Sequence, residues 1–212
     1  MLEVVSRSEP GQGRVYEDRV LVDEGRGLFA VADGVTQSSQ GTGAAAADLA
    51  VRLLSENFES DLEKAMARVH EIAFARKKED WSIGETTLTA MSVDEPRAEV
   101  CNIGNSPAIL VQGADITNLY TNDTSLEGGL TQAVGLPQKI NIHSTRFQLE
   151  GGNVVILASD GVEHALRPPL IYHFLMKVNA KEIADAIVEG AQTGGIRTDD
   201  DKTVIVLRSL KA

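Results

Sequence analysis

Two short apolar runs, far apart in the chain, end in the same way. Gly27-Leu28-Phe29-Ala30-Val31-Ala32 stops on Asp33-Gly34, and Val154-Val155-Ile156-Leu157-Ala158-Ser159 stops on Asp160-Gly161. Runs of this length, closed by turn residues, predict buried strands rather than helices. Asp-Gly by itself is a turn signal. A carboxylate delivered at a strand end also gains a rigid support, a common way to hold a metal or a catalytic group.

The pattern between these runs predicts the other elements. Met1 to Val5 is a short apolar start, and Ser6 to Gly13 has loop chemistry. Val20–Val22 predicts a strand that Glu24-Gly25-Arg26-Gly27 turns back into the run ending at Asp33. From about Gly41 to Phe58 the apolar residues follow helical spacing, and a second helix is predicted from a capping box at Ser60-Asp61-Leu62-Glu63. His70 lies beside its apolar face and reads as a boundary residue. Arg76-Lys77-Lys78 closes it with the positive charge its dipole favours. Beyond Trp81, strands recur at regular spacing: Thr86–Val93, Ala98–Ile103, Ala108–Val111, Ile116–Leu119 and Ile140–Leu149. Two helices, over Pro168–Val178 and from Asn179, precede a final strand at Thr203–Leu207. Runs of strands and runs of helices, without strict alternation, predict an α+β fold with antiparallel sheets. Two helix pairs covering a two-sheet sandwich make four layers, α-β-β-α. With no Pro/Ser-rich linker, residues 1–212 read as one domain.

Composition narrows the function classes. The chain has 212 residues, of which 42% are hydrophobic and 24% charged, as in ordinary globular proteins. A net charge of −11 argues against nucleic acid or an anionic membrane as partner, since both need a basic surface. Neither a signal peptide nor a membrane-length apolar stretch is evident, so a cytoplasmic protein is expected. The single Cys101 excludes an internal disulfide and a cysteine-built metal site, and its strand context predicts packing.

The hairpin brings Glu17-Asp18, at the start of one strand, beside Asp33, at the end of its partner. Three carboxylates at one sheet edge repel one another, and a cation between them is the economical explanation. Asp199-Asp200-Asp201 also touches a strand end, though alone it reads as a solvated loop or cap.

In order, Glu17-Asp18, Asp33-Gly34, Asp160-Gly161 and Asp200 resemble the metal-dependent serine/threonine protein phosphatases of type 2C, the PPM family. Smaller signals agree: the small-residue run Gly41–Ala45, Thr86-Thr87-Leu88, Gly104-Asn105-Ser106, and Leu130-Thr131-Gln132-Ala133-Val134-Gly135. The chain resembles a small, single-domain, prokaryotic-like member. The resemblance implies the four-layer fold, a phosphorylated protein substrate and two Mn²⁺ or Mg²⁺ ions. Asp33 would bridge the ions, with Glu17 and the Gly34 carbonyl on one and Asp160 and Asp200 on the other. Asp18 would hold coordinated water, and Arg14 would grip the phosphate. A water shared by two metals would then attack phosphorus in line, with no phospho-enzyme. Three departures stand out. Asn105 replaces an aspartate that binds a third ion in many members, which speaks against a third ion here. Arg14 lies one residue nearer Glu17 than usual, and Val35 stands where some members have a histidine. Two alternatives remain: a catalytically weak or inactive relative that binds a partner or phosphopeptide, and an unrelated αββα hydrolase with an N-terminal nucleophile.

Overall fold

The computed structural model describes residues 1–13, 15–137, 139–193 and 199–211. Among the described residues, ten strands form two antiparallel five-stranded sheets. One holds β1 (Leu2–Glu9), β10 (Lys202–Ser209), β9 (Val154–Ala158), β6 (Ala108–Gln112) and β7 (Asp115–Asn118), in that spatial order. The other runs β2 (Arg19–Asp23), β3 (Leu28–Ala32), β4 (Leu88–Asp94), β5 (Arg97–Ile103) and β8 (His143–Gln148). Helices α1 (Gly43–Asn57) and α2 (Leu62–Glu79) pack on the second sheet. A 3₁₀ segment (Asp160–Leu166), α3 (Leu170–Leu175) and α4 (Ala180–Thr193) pack on the first.

Strand periodicity explains the layers. In β3, Phe29 and Val31 face the other sheet, where they meet Val155, Leu157, Ile205 and Leu207. Leu28, Ala30 and Ala32 face α1 and α2 instead. In β9, likewise, Ile156 and Ala158 face the helices while Val155 and Leu157 face inward. Both strands are buried on both faces, which is why each reads as an unbroken apolar run. The expected α+β, four-layer α-β-β-α sandwich is the observed fold.

Some local expectations need correction. Residues 6–9 belong to β1, whose whole length pairs with β10, so the loop begins only at Pro10. The α2 N-cap is Asp61, which accepts from the Lys64 amide at 2.9 Å; Ser60 lies outside the helix. His70 is buried and stacks on Phe74. Lys77 is buried as well, which the basic run around it concealed. Helix α3 has six residues and ends before Val178, and the 3₁₀ segment was not foreseen. At the start of α4 the Asn179 side chain accepts from the Glu182 amide, and the Glu182 side chain accepts from the Val178 amide. Cys101 is buried and its thiol is pushed up to about 12, by burial first and then by Glu99, as suits a packing residue.

Candidate metal centre

The carboxylates meet because the sheet registers align their strand ends. In the β2–β3 hairpin Arg19 opposes Ala32, so Asp18 and Asp33 emerge side by side. In the other sheet Val204 of β10 opposes Ala158 of β9, which brings Asp200 and Asp160 to the same end of the sandwich. The Asp160 amide donates to Asp33 Oδ2 at 3.3 Å and joins the two sheets at this point. Asp33, Gly34, Asn105, Asp160 and Asp200 then form one wall of a cavity of about 580 Å³. Val35–Gln37, Ser39 and the Gly128–Leu130 loop complete its rim.

Close contact between backbones explains two glycines. A Cβ on Gly34 would lie 2.4 Å from the Gly43 carbonyl carbon and 2.9 Å from Glu17 Cβ. A Cβ on Gly161 would lie 1.9 Å from the Asp201 carbonyl oxygen. Glycine lets β3 meet the start of α1, where Glu17 Oε1 accepts from the Ala44 amide at 3.2 Å.

The electrostatics are those of crowded like charges. Burial first, and then the charges of Asp18, Asp160 and Asp200, hold the Asp33 carboxyl well above the usual carboxylate range; the Asp160 amide offsets only part of this. Asp18 is 1% exposed, and neither of its carboxylate oxygens has a hydrogen-bond partner. Burial pushes it up to about 7, with Asp201 and Asp200 adding to the rise. The Thr203 and Ser159 hydroxyls pull the other way, although neither reaches hydrogen-bond geometry. A buried pair of orphaned carboxylate oxygens among other acids is a donor set suited to a hard cation or its water. Among the described residues, no three His, Cys, Asp or Glu side chains are gathered into a ready-made metal cage.

Asn105 donates to Asp160 Oδ2 at 2.9 Å, so the amide engages this carboxylate directly. Arg14 lies outside the described residues. Val35 lines the cavity.

Several supporting residues were not singled out by their sequence. Asp201 accepts from the Gly11 amide at 2.7 Å and the Glu17 amide at 2.6 Å, tying the loop before β2 to the start of β10. Thr86 and Thr87 frame the Asp33 backbone: both donate to its carbonyl at 2.9 Å, and Thr87 Oγ1 accepts from its amide at 3.0 Å. Asp123 accepts from the Gly104 amide, Gln132 and His143, each at 2.9 Å, and so anchors the turn carrying Asn105. Thr86, Thr87 and Gln132 lie inside the family-like segments named above, and no such segment pointed to Asp123.

The family model described as stage II sporulation protein E (SpoIIE) matches residues 23–210. This chain is a SpoIIE-type member of the PPM phosphatase family. Similar solved structures include PppA, "a key regulatory component of T6SS in Pseudomonas aeruginosa", with a TM-score of 0.85 and 20% identity over 99% of this chain and 98% of that one. The catalytic domain of the serine/threonine protein phosphatase PstP, in complex with two manganese ions, has a TM-score of 0.85 and 24% identity over 99% of both chains. The PPM Ser-Thr phosphatase MsPP from Mycobacterium smegmatis has a TM-score of 0.83 and 24% identity over 98% of both. No curated protein sequence matches this SpoIIE-type chain significantly. Among the described residues no helix is long and apolar enough to cross a membrane.

Proposed function

We propose that this SpoIIE-type chain is a metal-dependent phosphoserine/phosphothreonine protein phosphatase, with residues 1–212 as one catalytic domain acting in the cytoplasm. The observation that carries the reading is the Asp33 carboxyl, held well above its usual range by burial and by the surrounding Asp18, Asp160 and Asp200 at the wall of an open cavity. Such crowding is costly to the fold and is relieved by positive charge. Glu17, Asp33, the Gly34 carbonyl, Asp160 and Asp200 would hold two Mn²⁺ or Mg²⁺ ions, as the PstP structure with two manganese ions suggests. An oxygen-only set fits hard ions that keep several waters. When bound, the ions supply an activated water and offset the charge of the phosphoryl group.

The chain's own residues would do the remaining work. Asp18 holds water behind the ligands through its two unpartnered oxygens. Thr86 and Thr87 fix the Asp33 backbone. Arg14, in this proposal, grips the phosphate. The Asn105 amide offers no negative charge and is turned to Asp160, which favours two ions over three. The same amide favours the second reading, a catalytically weak relative that binds a phosphopeptide or partner.

Hydrolysis of a phosphopeptide with and without Mn²⁺, by this chain and by Asp160→Asn, tests the proposal. Turnover that needs Mn²⁺ and falls at least about a hundredfold in the variant is expected, the scale on which loss of a charge-stabilising group acts. Turnover without metal, or full activity in Asp160→Asn, overturns the two-ion mechanism. Metal binding with no turnover of any phosphopeptide selects the second reading.

A further inference from the structure

At the cavity, with Glu85 among its lining residues, lies a buried ion pair that the chemistry outlined above does not use. Lys77 of α2 and Glu85, in the segment leading to β4, contact each other directly, with side chains 8% and 3% exposed. Both groups also hold the loop that follows Asp33-Gly34. Lys77 Nζ donates to Ser39 Oγ at 3.0 Å, and Ser39 Oγ also contacts Glu85 Oε1. Glu85 Oε2 accepts from the Ser39 amide at 3.0 Å. The Glu85 backbone continues the grip: its amide donates to Ser38 Oγ at 3.0 Å and its carbonyl accepts from the Val35 amide at 2.9 Å. Burial alone would raise the Glu85 carboxyl, yet Lys77 and the serines bring it below its usual value.

Between these anchors the loop presents Thr36 and Gln37, exposed and lining the cavity. They are uncharged hydrogen-bonding side chains on a cavity whose lining also carries the carboxylates of Asp33, Glu85, Asp160 and Asp200. A buried charge pair costs desolvation wherever it sits, and its best-attested use is to specify one arrangement of the chain. A loop held in its binding shape loses less freedom when a ligand docks.

We propose that the Lys77–Glu85 pair positions the 35–39 loop so that Thr36 and Gln37 read the peptide flanking the phosphorylated residue. Lys77 and Glu85 are positioning residues: they act on substrate affinity through the loop, and the hydrolytic step is left to the carboxylate cluster. The inference rests on the phosphatase reading for its substrate, but the loop restraint can be measured without turnover.

The test uses the full chain and three variants. Lys77→Met with Glu85→Leu replaces the pair by apolar residues of similar volume, a change that such sites often tolerate. Ser39→Ala cuts the link from the loop side at an exposed residue, and Lys77→Arg keeps the charge. Backbone hydrogen exchange over residues 35–39 should quicken roughly tenfold or more in the double variant and in Ser39→Ala, with β4 and β5 unchanged. With a phosphopeptide, KM should rise roughly tenfold while kcat falls by less than about threefold in the double variant and in Ser39→Ala, and Lys77→Arg should stay close to the parent chain. Unchanged loop exchange overturns the positioning role whatever the kinetics. Faster exchange with kcat lowered and KM unmoved overturns the peptide-reading role. Faster exchange in a protein whose parent chain hydrolyses no phosphopeptide upholds the restraint and refutes the phosphatase reading instead.

Discussion

Asp201 offers the sharpest test of how the site is braced. Its two carboxylate oxygens accept from Gly11 at 2.7 Å and Glu17 at 2.6 Å, residues 190 and 184 positions earlier in the chain. Gly11, Glu17 and Asp201 are all buried, so no water readily replaces these bonds. A hydrogen bond to a charged group contributes about 1.5–3 kcal/mol, and a buried donor left unpaired bears a similar cost. Asp201→Ala should therefore destabilise by about 3–6 kcal/mol. Asp201→Asn keeps one acceptor but turns an N–H toward the second donor, and should lose about half of that. For a chain of this size about 1 kcal/mol shifts Tm by roughly 2–4 °C, so Asp201→Asn should melt about 3–12 °C lower. Urea unfolding and thermal melts in chelator give both figures without metal binding to obscure them. Mn²⁺ should then stabilise the variants less than the parent, because Glu17 is no longer held at the site. If Asp201→Ala unfolds within about 0.5 kcal/mol of the parent, the size expected of an unimportant surface change, Asp201 does not brace the site.

Two further predictions follow from burial and from close contact. The Asp18 carboxyl is raised from 3.8 to about 7 in the folded chain, so its contribution to stability is complete below about pH 4 and is lost as pH rises through 7. Metal-stripped protein should lose on the order of 4 kcal/mol across that window, and Asp18→Asn should flatten the profile; urea midpoints at pH 5 to 8 that keep the same slope in the variant would refute this. Gly34→Ala puts a Cβ 2.4 Å from the Gly43 backbone and should cost about 1–3 kcal/mol while blunting the thermal shift on adding Mn²⁺. An unshifted Tm together with a full Mn²⁺ response would mean that β3 and α1 can separate without harm.

Much of the fold was legible because the relevant signals are local. A five-residue strand buried on both faces has no room for polar alternation, so β3 and β9 stood out as unbroken apolar runs. Helix α1 showed its apolar face, and the Asp-Gly ends of the two runs stand at the strand ends that meet over the cavity. The misread residues depend on partners elsewhere. In a basic run at a helix end Lys77 looked like a solvated charge favouring the dipole, and only Glu85 and Ser39, brought in by a turn and a loop, account for its burial. Asp201 sat in an acidic cluster that its own neighbours made look solvated. His70 needed the packing of α2 to show that its side of the helix is covered.

By itself, the sequence determined most of the strands and helices, the burial of β3 and β9 on both faces, and that acidic residues wait at several strand ends. Periodicity and turn chemistry are written into consecutive residues. Only the tertiary structure decided that Asp18, Asp33, Asp160 and Asp200 share one electrostatic environment, since that depends on the pairing of β2 with β3, of β9 with β10, and on the stacking of the two sheets. Electrostatic interaction falls with distance in space, and distance in space between positions 33 and 160 is set by the fold rather than by their separation in the chain.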